Sequence, residues 1–115
     1  VVQFYEWDPN SKSYSVPTQL VHGKGYWACV FTDVTKIVSG ISVNQLHLEG
    51  VAGWHMIGSL PIEGIVDVIS GTVWEQFYGW DAQAKSYQLV STLEPGGGYW
   101  FCAFTPFSID ILPKP

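Results

Sequence analysis

Residues 3–32, QFYEWDPNSKSYSVPTQLVHGKGYWACVFT, and residues 76–105, QFYGWDAQAKSYQLVSTLEPGGGYWFCAFT, are two versions of one segment. They align without a gap at an offset of about 73 residues, with roughly half of about 30 positions identical, which marks an internal duplication rather than compositional drift. Cys29 and Cys102 correspond. Within each version, short aromatic and β-branched runs alternate with turn chemistry. Val1 to Trp7 reads as a strand, and Asp8-Pro9-Asn10-Ser11 as a turn with Asp first and Pro preset second. Tyr14 to Leu20 resumes as a strand that Pro17 places at an edge or bulge, and His22 to Gly25 turns the chain into Tyr26 to Thr32. The second version repeats the order: Val73 to Trp80, a turn at Asp81 to Lys85, Tyr87 to Thr92, a glycine turn at Glu94 to Gly98, and Tyr99 to Thr105.

Between the copies, Ile41 to Leu48 alternates and Gly53 to Leu60 follows as a further strand. No segment holds a helical period over three turns, and Ile62 to Ile69 fits either a strand or a short helical turn. The expectation is therefore an all-β domain over residues 1–115, a pseudo-twofold β-sandwich or flattened barrel. Its repeat halves are 1–49, incomplete, and 50–115. The second copy is preceded by GVAGWHMIGSLP, whose counterpart for the first copy would fall before Val1. A trimmed chain, a strand unique to the centre, or a strand supplied by a neighbouring molecule each explain the gap.

The totals bound the function. Of 115 residues 47% are apolar and 13% charged, so a core is easily supplied. Net charge is −5, and all five basic residues are lysines. Phosphate neutralisation and bidentate arginine contacts are thus lacking, which sets nucleic acid aside as a partner. The apolar runs are too short for a membrane span. The chain shows no leader and does not begin with Met, which is expected of a processed or trimmed product.

The two copies also point to a packing face. Trp27, Cys29 and Phe31 recur as Trp100, Cys102 and Phe104, whereas Ala28 and Val30 become Phe101 and Ala103. Because jigsaw packing restricts substitution, the identical face is assigned to the core, with the two copies meeting there near a pseudo-twofold axis.

The order GWHMIGSLP, then FYGWD, KSY and LEPGGGYWFCAF resembles a β module recurring in secreted and surface proteins of bacteria and archaea. Its pattern is Gly-Trp-Asn-(Leu/Met)-Ile, a Trp-Asp turn, and Pro-Gly-x-Gly-Tyr-Trp. Gly53, Trp54, Met56, Ile57, Pro61, Trp80, Asp81, Tyr87, Leu93, Pro95, Gly96, Gly98, Tyr99 and Trp100 carry the likeness, with His55 standing where Asn is usual. The resemblance implies an extracellular or cell-surface module with no catalytic residues, appended to adhesins, hydrolases or surface-layer proteins.

Candidate chemistry is sparse. Pro95 to Gly98 lacks the helix and Lys-Ser/Thr pair of a phosphate loop and reads as a structural turn. Cys29 and Cys102 are either free thiols in the core or one bridge between the halves, worth up to about 4 kcal/mol. Neither CxxC nor HxxxH occurs, so no metal site is expected. His22 stands where the other copy has Pro95, His47 is expected to face solvent, and His55 is the histidine to inspect for a ligand. No nucleophile motif is present, and no catalytic residue or cofactor is assigned. The remaining candidates are aromatic strips, Gln3, Tyr5 and Trp7 on one copy and Gln76, Tyr78 and Trp80 on the other. They fill the core or, exposed, stack on sugar rings while an amide bonds hydroxyls; core filling is favoured because a small domain needs large side chains. The expected function is a non-catalytic extracellular module making structural or adhesive contacts, with a polysaccharide or another surface protein as partner. Carbohydrate binding and strand exchange into a homo-oligomer are the alternatives. Binding to glycan predicts that at least two of Trp7, Trp54, Trp74 and Trp80 are exposed and coplanar.

Overall fold

The computed structural model describes residues 2–33, 40 and 42–115; Val1 and Ile41, which open two of the expected strands, lie outside it. The protein is all-β. Ten strands run in chain order: β1 (Gln3–Asp8), β2 (Ser13–Ser15), β3 (Trp27–Cys29), β4 (Leu46–Gly50), β5 (Gly53–Ile57), β6 (Gly64–Ser70), β7 (Phe77–Asp81), β8 (Ser86–Val90), β9 (Tyr99–Ala103) and β10 (Phe107–Pro113). They form three antiparallel sheets, ordered β2-β1-β3, β4-β10-β6 and β5-β9-β7-β8. IEGIVDVI resolves as strand β6, and β2 stops at Ser15, two residues before Pro17.

The duplication holds at the level of single bonds. Tyr5 opposes Trp27 as Tyr78 opposes Trp100, and Trp7 opposes Tyr14 as Trp80 opposes Tyr87. At the β1–β2 turn the Asp8 carboxylate accepts the amides of Asn10 and Ser11 at 2.9 and 3.4 Å. Those bonds, Asn10 first, hold Asp8 below the usual carboxylate range. Asp81 accepts the amides of Gln83 and Ala84 at 3.0 and 3.1 Å in the same way. Lys12 and Lys85 both take positive φ, near 54° and 53°. The Tyr26 hydroxyl accepts the Val21 amide as the Tyr99 hydroxyl accepts that of Glu94, pinning each glycine turn to the strand after it.

The core is one-sided. Among the described residues the buried hydrophobic side chains run from Ile57 to Ile111: Ile57, Leu60, Phe77, Leu93, Tyr99, Phe101, Ala103, Phe107, Ile109 and Ile111. They lie between the inner face of β5-β9-β7-β8 and the sheet β4-β10-β6, where Ile109 sits opposite Leu48 and Val68, and Ile111 opposite Leu46 and Val66. Alternation in Phe107–Pro113 places its isoleucines inward, so β10 is the central strand of that second layer. The expectation that Trp, Cys and Phe face the core is overturned. Tyr99, Phe101 and Ala103 are the buried residues of β9; Phe104 is exposed, and Phe31 is 92% exposed. The identical face lies outside the sandwich, and its tryptophans serve another contact.

Candidate functional site

That contact joins the two repeats. Trp7 meets Trp100 edge to face, with ring centroids 5.4 Å apart and planes at 78°; Trp80 meets Trp27 at 5.4 Å and 76°. Trp7 corresponds to Trp80 and Trp27 to Trp100, so one pair is the pseudo-twofold image of the other. The hairpin pairs repeat as well, Trp7–Tyr14 at 5.0 Å and Trp80–Tyr87 at 5.1 Å. A β-carbon placed on Gly98 would lie 3.7 Å from the α-carbon of its counterpart Gly25, which puts the local axis between these two turns. The expectation that the repeats meet near a pseudo-twofold through the identical face therefore describes this seam, though not the core.

The asymmetry of the seam comes from β5. Its backbone reaches across to the first repeat: the Gly25 amide donates to the Met56 carbonyl at 3.1 Å and the Gly58 amide to the Gly23 carbonyl at 2.9 Å. The Trp7 indole N–H donates to the Trp54 carbonyl at 3.0 Å. These approaches require the missing side chains. A β-carbon on Gly25 would come within 2.7 Å of the Ile57 carbonyl oxygen, and one on Gly58 within 2.8 Å of that of Lys24.

Where the repeats converge, Trp7, Tyr14, Trp54, Tyr78, Tyr87 and Trp100 enclose an open cleft of about 410 Å³ with walls almost wholly of carbon. Register explains the convergence: Tyr78 opposes Trp100 across β7 and β9, and Trp54 lies one strand over on the same face. Trp54 stands 6.0 Å from Tyr78 and 6.5 Å from Trp100, while Tyr78 stands 6.3 Å from Tyr87. The lining is made of Trp and Tyr side chains alone, so the cleft offers ring faces, ring edges, indole N–H groups and tyrosine hydroxyls.

The sequence candidates divide. Trp7 and Tyr78 line the cleft; Trp80 lines a second hollow, of about 270 Å³, with Trp27 and Gly96 to Gly98. Tyr5 is exposed and lines neither, and neither do Gln3 and Gln76; the Gln3 amide donates to the Phe4 carbonyl at 3.3 Å. The strips thus turn toward one another across the seam rather than forming two equivalent platforms. Trp54, Trp74 and Trp80 are exposed as glycan binding predicts, but the indoles that touch do so edge to face instead of lying coplanar. Sequence reasoning passed over Tyr14, Tyr87 and Trp100. Their signal was the identity of both copies at these positions, attributed for Trp100 to the core.

The titratable groups lie elsewhere. His55 points to the core side of β5, stacked on Phe101 at 5.4 Å and edge-on to Phe107 at 4.8 Å, with its Nε2 hydrogen-bonded to the Val51 carbonyl at 2.7 Å. Burial holds it below the ordinary histidine value, against that bond. His47 is exposed, and its Nδ1 lies 2.6 Å from Asp110 Oδ1, the contact that raises its pKa; Glu49 adds to the effect from 3.6 Å. Cys29 is exposed and Cys102 partly buried, and both are free thiols. Among the described residues no three His, Cys, Asp or Glu side chains gather as metal ligands, and no helix is long and apolar enough to cross a membrane. No family model, no curated protein and no solved structure matches this chain.

Proposed function

We propose that this chain is a non-catalytic, extracellular contact module that holds carbohydrate in the aromatic cleft between its repeats. The observation that carries this reading is the cleft itself, six Trp and Tyr side chains drawn from β1, β2, β5, β7, β8 and β9. Its volume falls in the range of small-ligand sites, and its lining suits the CH-rich faces of a sugar ring. The edge-to-face walls grip a ring from several sides instead of offering a flat table. Hydroxyls of Tyr14, Tyr78 and Tyr87 take the hydrogen-bonding role first given to Gln3 and Gln76. Among the described residues the lining holds no His, Asp, Glu, Lys or Cys side chain to act as a general acid or base. An adhesive role follows if the glycan belongs to a surface.

A panel of soluble polysaccharides, followed by tryptophan fluorescence, tests the reading. At least one is expected to give a saturable change. Trp54, 46% exposed, should contribute to binding without holding the fold. Trp54→Ala is therefore expected to weaken that binding by about tenfold, whereas Trp74→Ala, outside the cleft, leaves it unchanged. Absence of saturable binding across the panel, or an unaltered Trp54→Ala variant, would sink the proposal.

A further inference from the structure

The lining of the aromatic cleft is one unbroken chain of ring contacts. Tyr14 meets Trp7, Trp7 meets Trp100, Trp100 meets Trp54, Trp54 meets Tyr78 and Tyr78 meets Tyr87. The ring centroids lie 5.0 to 6.5 Å apart and the planes are inclined by 52° to 86°. Successive rings therefore turn their faces in different directions around one hollow of about 410 Å³. A compact guest covered in methyl groups gains most from faces on several sides, and that is the arrangement present.

The charge around the cleft is a second observation. An aromatic face is the negative side of the ring quadrupole and attracts a cation. None of the described lysines lines the cleft, and two are engaged elsewhere, Lys24 with Glu6 at 3.5 Å and Lys114 with Glu63 at 2.9 Å. The chain has no arginine and a net charge of −5. The same walls decide which cation is suited. A primary ammonium brings three N–H donors that need acceptors, and the lining side chains offer only the hydroxyl oxygens of Tyr14, Tyr78 and Tyr87. Donors left unpaired on burial oppose binding. A quaternary ammonium has no donor to satisfy, and its charge is spread over methyl groups that pack on carbon. The Trp7 indole N–H, which would face a cation unfavourably, is already spent on the Trp54 carbonyl at 3.0 Å.

We infer that the cleft is an aromatic cage for a quaternary ammonium ion and takes the trimethylammonium head of a small choline-type molecule. The head sits among the six rings, and the polar stem leaves through the open side of the cleft to water. Trp54 and Trp100 contribute most, because an indole is the strongest partner for a cation among the aromatic side chains. The inference does not rest on the saccharide reading. It asks for a positive charge, which a neutral sugar lacks, and the two affinities are measured in separate titrations.

The full chain is titrated with choline chloride and with tetramethylammonium chloride at constant ionic strength, followed by tryptophan fluorescence. Dimethylbutanol, in which a carbon replaces the nitrogen of choline, is the neutral control of the same shape. Ethanolamine is the control with a primary ammonium. Both quaternary ions are expected to give saturable changes, and choline to bind about tenfold more tightly than either control. Trp54→Leu and Tyr87→Leu keep an apolar side chain while removing a ring, at positions 46% and 47% exposed, so the fold is kept. Each should reduce the preference for choline over dimethylbutanol by about threefold. The inference is overturned by the absence of a saturable change with the quaternary ions, or by either control binding as tightly as choline. A preference unaltered in both variants overturns it as well. Binding of a polysaccharide without binding of choline overturns this inference and leaves the saccharide reading standing; choline binding without any polysaccharide does the reverse.

Discussion

His47 and His55 show how differently one residue type behaves on the two layers of the sandwich. His47 projects from β4 to solvent, where Asp110, Glu49 and Ser108 face it, and Asp110 raises its pKa. A histidine raised in the folded state contributes stability that is full below its unfolded value of about 6.5 and is lost as pH rises through the folded value. His55, pressed on Phe101 and Phe107, is lowered by burial. Its folded form prefers the neutral ring, so its contribution is full above about 6.5 and is lost as pH falls toward the folded value. Urea midpoints measured from pH 5 to pH 8.5 should therefore pass through a maximum near the middle of that range. His55→Asn should flatten the acid limb and His47→Gln the alkaline limb. A variant that flattens the opposite limb would contradict the assignment.

At the scale of elements, the informative comparison is between glycine turns that are equal in sequence and unequal in surroundings. Gly25 and Gly98 correspond, yet β5 presses much closer on Gly25: the Ile57 oxygen and the Met56 side chain are each 2.7 Å from a β-carbon placed there, whereas the Ile57 oxygen is 4.0 Å from one on Gly98. Gly25→Ala is therefore expected to cost about 1–3 kcal/mol, as overpacking does, whereas Gly98→Ala stays within about 0.5 kcal/mol of the parent; chemical denaturation separates them. The same asymmetry explains which elements could be read from sequence. Strands β1, β5, β7 and β9 were legible from aromatic alternation between turn signals, and the Asp8 and Asp81 turns from their chemistry. Strand β10 was passed over although FSIDIL alternates, because the repeat comparison ends at Thr105 and the corresponding 34–40, VTKIVSG, has diverged. The core face was misassigned for a physical reason. Positions 28 and 30 were free to drift to Ala and Val because no second layer among the described residues covers them, while Trp27 and Trp100 stayed fixed by packing on Trp80 and Trp7. Identity between copies recorded the shared seam, and divergence recorded the unshared core. The cleft residues could be listed from sequence, but their convergence depends on how the sheets meet across an axis that no local pattern encodes.

For the molecule as a whole, the two repeats contribute unequal parts to stability. Every buried hydrophobic side chain among the described residues lies between Ile57 and Ile111, so the sandwich of β4 to β10 carries the core. The first repeat adds a sheet held to it by two indole pairs, the Trp7–Trp54 hydrogen bond and the backbone contacts of Gly23 to Gly25. Residues 42–115 alone should therefore unfold cooperatively, whereas residues 1–41, which supply none of the buried hydrophobic side chains among the described residues, should show no cooperative transition alone. Removing the first repeat also uncovers Trp54, Met56, Tyr78 and Trp100 as one apolar face, of the kind that drives association. The 42–115 fragment is thus expected to bind a hydrophobic dye and to self-associate, and adding residues 1–41 in trans should reduce both. Calorimetry and light scattering on the two fragments, apart and mixed, decide the point. A fragment 42–115 that fails to fold by itself would mean that the seam, and not the one-sided core, is what holds this protein together.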